Sequence, residues 1–307
     1  MSFCNQSFNK EKKLKHLIIG GGYVAEFHIR ASVRNKFEIF LIEPDLLKRE
    51  YLNYLFPEIN AFENIHNFLK LYNKEKIDLL SILLPADIRQ KAYETIPKFN
   101  CTIIIEKPLT QFCIKKFNNE KTFLGLNLSY NNAGKYMINN LRKFQNIRSI
   151  KTLRPTPGNL LRQNSIKDYL LDFLPHTLTP LNLIFSNEKP TIKYEYSNYD
   201  SAVYGKFFIN KKEISFDICA APRKPDTVIK SRNSSLSFDN SLIKIEKPYT
   251  PSRNLFNQIY TIIYSRSGYG TMYYMYKDLK NYIKYNSCSP TLETLKINKT
   301  KYITFNK

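Results

Sequence analysis

Apolar residues in the first 130 positions gather into short β-branched runs, and the stretches between them carry helical spacing. Lys15–Ile19 reads as a strand, Ala25–Arg34 as a helix, Phe37–Ile42 as a second strand and Ile65–Asn73 as a helix. Leu79–Leu84 reads as a buried strand, and Asp87–Phe99 as a helix begun just after Pro85. Thr102–Ile105 and Phe123–Leu128 are two further strands. Strands alternating with helices predict βαβ units and a parallel sheet. The pattern changes after about Ser129. Asn132–Phe144 and Ile166–Phe185 have helical spacing, whereas Thr191–Lys247 reads as successive strands. Short polar breaks at Asn210-Lys211-Lys212 and Asp239-Asn240 separate runs that would pair antiparallel. The tyrosine-rich stretch Phe256–Tyr285 is predicted to be helical in part. The expected architecture is a doubly wound α/β domain over residues 1–126, followed over residues 127–307 by an α+β domain with a largely antiparallel sheet.

The 307 residues suit two domains of ordinary size, and 43% hydrophobic content is enough to build their cores. No run approaches a membrane span, and Met1–Lys15 lacks the apolar stretch of a secretory signal. The five cysteines (Cys4, Cys101, Cys113, Cys219, Cys288) are scattered and form no CxxC pair. They read as reduced thiols in a cytoplasmic protein. The formal net charge of +21 matters more for partners. Its lysines are spread in small groups such as Lys12-Lys13, Lys115-Lys116 and Lys211-Lys212. A dispersed surplus favours solvated lysines and a preference for anionic small molecules over nucleic acid or a membrane.

Chemistry enters at the glycines. Only nine occur, and three are consecutive, in the frame Gly20-Gly21-Gly22-Tyr23-Val24-Ala25 between the first strand and the first helix. This fits G-x-G-x-x-G/A. Gly20 permits the tight turn, Gly22 allows a pyrophosphate to approach backbone, and Ala25 allows close helix–strand packing. The helix N-terminus then offers N–H groups and the positive end of its dipole to phosphates. Glu43 ends the second strand at the offset expected for the carboxylate that binds the adenosine ribose. Strand, glycines, helix, strand and terminal acid in that order predict a Rossmann-type dinucleotide site. Pro44 and Asp45, rather than a cation, follow Glu43, which favours NAD over NADP.

Further along, Thr102–Ile105 runs into Glu106-Lys107-Pro108-Leu109. With the glycine frame, Ile77–Pro85, Asn127 within Gly125–Tyr130, and Asp172-Phe173-Leu174-Pro175-His176, the chain resembles the Gfo/Idh/MocA family of nicotinamide-dependent oxidoreductases. The resemblance implies a cofactor site over Gly20, Gly21, Gly22, Tyr23, Val24 and Ala25, with Glu43, Leu84, Pro85 and Glu106. It implies that Lys107 lies beside the nicotinamide and that Asp172 and His176 complete the catalytic set. The chemistry agrees. Hydride transfer at a carbinol carbon needs a group to take or return the hydroxyl proton, which suits a histidine. Asp172 and His176 are four residues apart, on one face if helical. A lysine at the carboxyl end of a parallel strand sits where α/β folds bind ligands and can polarise the reacting oxygen.

The chain also departs from the family. Arg89 stands where a histidine is common, so it is expected to bind an anionic substrate group together with Asn127, Arg154 and Arg162. The expected reaction is NAD(P)-dependent oxidation or reduction of a secondary alcohol or ketone, on an anionic sugar or nucleotide sugar, in a homo-oligomer. Two alternatives stay open: reduction of a C=N bond on the same fold, and a dinucleotide-binding regulator without turnover. No metal is expected, because no third ligand accompanies Asp172 and His176.

Overall fold

A computed structural model of the chain describes residues 12–72, 76–107, 115–117, 121–126, 130 and 269–297, together with the backbone of strands between 147 and 246. The N-terminal sheet is built from β1 (Lys15–Ile19), β2 (Glu38–Ile42), β3 (Asn60–Phe62), β4 (Leu79–Ile82), β5 (Thr102–Ile105) and β6 (Thr122–Leu124). Its order is β3-β2-β1-β4-β5-β6, and every pair is parallel. The chain starts at the centre, winds one way to β3, then returns to β4 and winds the other way. The reversal opens a crevice at the carboxyl ends of β1 and β4. The connecting helices are α1 (Tyr23–Arg34), α2 (Leu46–Leu55), α3 (Ile65–Tyr72) and α4 (Ala86–Thr95).

Strand alternation divides the core into two layers. Leu17, Ile19, Phe40, Ile42, Leu80, Ile82, Ile103 and Ile105 face one layer. There Phe40 packs with Phe68 and Tyr72 of α3. Ile18, Ile39, Leu41, Leu79 and Ile104 face the other, against Ala25 and Ile29 of α1. Burial on both faces explains why these strands read as continuous apolar runs.

The sequence reading missed α2 and β3. Asp45 starts α2 as its N-cap, its carboxylate accepting from the Lys48 N–H at 3.2 Å. That hydrogen bond holds the Asp45 carboxyl below its ordinary range. The strand expected over Leu79–Leu84 stops at Ile82, and the one expected to reach Leu128 stops at Leu124. The helices anticipated over 132–144 and 166–185 lie outside the described residues.

In the second half, the backbone forms β7 (Ile147–Pro155), β8 (Ile192–Tyr199), β9 (Ala202–Ile209), β10 (Lys212–Cys219), β11 (Asp226–Ser231), β12 (Ser235–Asp239) and β13 (Ile243–Glu246). Their order is β13-β12-β11-β7-β10-β9-β8. β7 and β10 run parallel, and the remaining neighbours run antiparallel.

The last two described helices, α5 (Tyr269–Tyr285) and α6 (Pro290–Thr294), return to the first domain. Met272, Met275, Tyr276, Leu279, Tyr282, Leu292 and Leu295 join the α1-side core. Asn35 at the end of α1 donates to Tyr273 O at 3.2 Å, and Lys280 Nζ donates to Asn35 O at 2.9 Å. Leu124 N–H donates to Leu295 O at 2.8 Å. A division at residue 126 therefore assigns to the second domain a helix whose side chains are built into the first. Leu279→Ala should cost about 2–5 kcal/mol through its cavity. Urea unfolding followed by far-UV circular dichroism measures this, and a cost below about 1 kcal/mol would refute the docking of α5.

Candidate active site

The glycine turn is fixed by close packing. Gly20 has φ 103°, and a Cβ there would meet the Leu83 carbonyl carbon and oxygen at 3.2 Å. Only glycine suits both demands. Gly21 lies against Glu43, and a Cβ there would press on its side chain at 2.8–3.0 Å. The Gly21 N–H donates to Glu43 Oε2 at 2.6 Å, and the Asp45 N–H donates to Oε1 at 2.9 Å. Two main-chain donors thus orient a carboxylate that is only 7% exposed. A carboxylate accepts about four hydrogen bonds, so acceptor capacity remains for a sugar diol. Gly22 differs: among the described residues nothing lies within 4 Å of where its Cβ would be. It is the N-cap of α1 and brings no capping side chain. Tyr23 and Val24 are exposed, whereas Ala25 is buried against the sheet. Among the described residues nothing therefore crowds the first turn of α1, the setting in which a helix N-terminus can receive phosphate.

Sequence reasoning passed over Arg49. Its Nη1 donates to Glu43 O and Pro44 O, both at 2.7 Å, so this cation holds the loop beside Glu43. Near that acid, Lys48 is paired with Asp45 at 3.6 Å.

Arg89 corrects the expectation of an anion-binding group. It is 2% exposed. Its Nε and Nη2 donate to Leu84 O at 2.9 and 2.8 Å, Nη1 to Glu106 O at 2.6 Å, and Nη2 also to Lys107 O at 3.1 Å. A buried guanidinium needs its donors satisfied, and here the carboxyl ends of β4 and β5 supply the acceptors. Arg89 is thus a clamp between two strand ends. Through Leu83 and Leu84 it links the glycine turn to the segment bearing Lys107.

Behind that segment lies a polar cluster that sequence reasoning missed. His28 of α1 is fully buried, with Nε2 3.1 Å from Glu106 Oε1 and Nδ1 2.6 Å from the Tyr276 hydroxyl. Tyr276 is 3.1 Å from Ser81 Oγ, and Ser81 is 2.7 Å from His16 Nε2. His16 Nδ1 is 2.8 Å from Ser32 Oγ, which donates to His28 O at 2.8 Å. Burial, helped by His28, holds the His16 imidazole well below its ordinary pKa. Burial likewise keeps the Tyr276 phenol protonated. A Cβ at Gly125 would overlap Glu106 Oε1, so glycine there makes room for the carboxylate.

The remaining expected residues are not brought together by what is described. Lys107 is half-buried just beyond β5, and Pro85 is the N-cap of α4. Asn127, Arg162, Asp172 and His176 lie outside the described residues, and Arg154 is placed only by its strand register opposite Ile218. Among the described residues no group of three His, Cys, Asp or Glu could hold a metal. No described helix is long and apolar enough to cross a membrane. Cys101 and Cys288 are free thiols, and burial pushes Cys101 up to about 12.

Comparison with known proteins places this geometry. Residues 14–117 match the Gfo/Idh/MocA model, described as an oxidoreductase family with an NAD-binding Rossmann fold. No curated protein sequence matches the chain. Among solved structures, an oxidoreductase from Agrobacterium radiobacter in complex with NAD+, L-tartaric acid and magnesium superposes with TM-score 0.68 at 10% identity, covering 94% of this chain and 93% of that one. A myo-inositol dehydrogenase from Corynebacterium glutamicum gives 0.66 at 12% identity, with 94% and 95% covered. The WlbA dehydrogenase from Chromobacterium violaceum, in complex with NADH and UDP-GlcNAcA, gives 0.66 at 10% identity, with 93% and 91% covered.

The His16 environment carries a pH signature. Its folded pKa is depressed, so the unfolded chain binds a proton that the folded chain refuses. The stability it contributes is present above about pH 6.5 and is lost on acidification, at about 1.4 kcal/mol per pH unit for one proton. The unfolding free energy of wild type minus that of His16→Asn should therefore shrink between about pH 7 and pH 5. A difference that stays constant in urea titrations across that interval would contradict the assignment.

Proposed function

We propose, for a chain whose residues 14–117 match an oxidoreductase family with an NAD-binding Rossmann fold, hydride transfer between nicotinamide and a secondary alcohol or ketone of a sugar or nucleotide sugar. One observation carries this reading. The Arg89 clamp joins Leu84, behind the glycine turn, to Glu106 and Lys107 at the end of β5. Phosphate site and lysine therefore share one sheet edge.

The residues present suit the dinucleotide. The open first turn of α1 at Gly22 suits the pyrophosphate, with Gly20 and Gly21 shaping the turn and Tyr23, Val24 and Ala25 forming it. Glu43, oriented by the Gly21 and Asp45 amides, suits the ribose diol and repels a 2′-phosphate. Leu84, Pro85 and Glu106 line the same edge. When bound, the cofactor supplies or accepts the hydride. The protein's own part is positional and electrostatic. The Lys107 ammonium donates to the reacting oxygen and stabilises negative charge developing there. His176 Nε2 takes the hydroxyl proton during oxidation and returns it during reduction, with Asp172 fixing the imidazole tautomer. Asn127, Arg154 and Arg162 are assigned to the substrate.

The net charge of +21 supports an anionic substrate, and the fold shared with a UDP-GlcNAcA-bound dehydrogenase supports a nucleotide sugar. The second half, with its seven-stranded sheet, is read as the substrate-binding and homo-oligomerisation domain.

Purified protein should bind NADH and change nicotinamide absorbance with a member of a panel of UDP-sugars and inositols tested with NAD+, or of ketoses and cyclic imines tested with NADH. Binding with turnover only on imines would overturn the carbonyl assignment, and binding with no turnover at all would favour a regulator. Lys107→Met should lower kcat by about 10²–10³ while leaving NADH affinity within a few-fold. Glu43→Gln should weaken NADH binding by about tenfold or more, measured by nucleotide fluorescence. Unchanged affinity in that variant would remove Glu43 from the cofactor site.

A further inference from the structure

The polar cluster behind Glu106 can be read by counting protons. Six contacts join its members: His28 to Glu106, His28 to Tyr276, Tyr276 to Ser81, Ser81 to His16, His16 to Ser32, and Ser32 to the His28 carbonyl. Each requires one proton. Ser32, Ser81 and Tyr276 bring one apiece, and two neutral imidazoles bring one apiece, which makes five. With neutral histidines and an ionised Glu106, one pair of facing atoms must lack a hydrogen between them. That pair would be Ser32 Oγ against the His28 carbonyl at 2.8 Å or an equivalent contact around the ring. In a buried site this is costly.

The position of the sixth proton follows from the neighbours. His16 is fully buried among Ser32, Ser81 and aromatic rings, with the second imidazole opposing any charge on it. His28 faces a carboxylate. A proton on Nε2 makes the 3.1 Å contact with Glu106 Oε1 a charge-assisted hydrogen bond. The hydrogen bonds then run in one sense: His28 to Tyr276, Tyr276 to Ser81, Ser81 to His16, His16 to Ser32, and Ser32 back to the His28 carbonyl.

We propose that this closed ring holds His28 as a doubly protonated imidazolium ion-paired with Glu106, which makes His28 a positioning residue for the segment that carries Lys107. The ring leaves one outward bond, from Nε2–H to Glu106 Oε1. That bond draws the carboxylate into the space provided by Gly125, while Arg89 holds the carbonyls of Glu106 and Lys107. The Glu106 side chain and the main chain of Glu106 and Lys107 are thereby each tied to the domain. Tyr276 makes the C-terminal helix α5 part of the arrangement. The catalytic consequence rests on the role assigned to Lys107 above; the protonation state does not.

The test uses the full chain labelled with ¹⁵N-histidine, which has only four such residues to assign. At pH 7, long-range ¹H–¹⁵N spectra should show protons on both ring nitrogens of His28 and on Nδ1 alone of His16, with assignments from single His→Gln variants. A bare ring nitrogen on His28 would overturn the ion pair, whether or not the protein turns over any substrate. For the positioning role, His28→Gln should lower kcat about tenfold to a hundredfold with NADH affinity within twofold, since a small misplacement of a reacting group has that effect. An unchanged kcat, or an equal loss in affinity, would reject it. Tyr276→Phe, which keeps the ring and removes one proton, provides a second variant and should leave His28 with a single ring proton. A protein that shows the doubly protonated ring but no dehydrogenase activity would sink the functional reading and leave the ion pair standing.

Discussion

Six polar side chains are buried between a parallel sheet and two helices, and desolvation allows this only because each finds a partner. His16 and Ser81 project from adjacent strands, His28 and Ser32 stand one helical turn apart on α1, Tyr276 comes from α5, and Glu106 from the end of β5. Removing any one strands at least one other in a buried layer. The geometry of α1 against the sheet, the docking of α5 and the course of the chain after β5 are therefore interdependent.

The same logic governs the crevice edge. In a parallel sheet the last carbonyls of neighbouring strands point at one another's loops with few donors to meet them. Arg89 meets three of them with one guanidinium. Arg49 does the same for the carbonyls of Glu43 and Pro44. Two cations that would suit anionic ligands by charge alone are spent on main chain. The positive net charge thus overstates the number of cations available to a ligand at this edge.

Much of the N-terminal domain was legible because its signals are local. Lys15–Ile19 and Thr102–Ile105 coincide with their strands, since β-branched runs bounded by glycines or charges have little else to form. The glycine frame, with Glu43 at the next strand end, announced the turn that close packing on Leu83 and Glu43 then justified. α2 was hidden because Leu46–Leu55 mixes apolar and charged residues without a clean stripe, and it buries only Leu52. Arg89 was misjudged because charge and motif position say nothing about which way a guanidinium points. His16 and Ser81 did leave a trace, as polar residues interrupting apolar strands at the period-two spacing of one face. That trace could not name their partners.

Order along the chain was enough to read the alternation of strands and helices, the glycine turn with an acid at the next strand end, and the lysine placed after β5, because each depends on residues close in sequence. Only the tertiary structure decided that Tyr276, some 248 positions beyond His28, closes a ring with it, and that Arg89 serves carbonyls rather than a ligand. Those outcomes turn on which buried donors meet which buried acceptors across the fold, and a one-dimensional pattern carries no record of such distances.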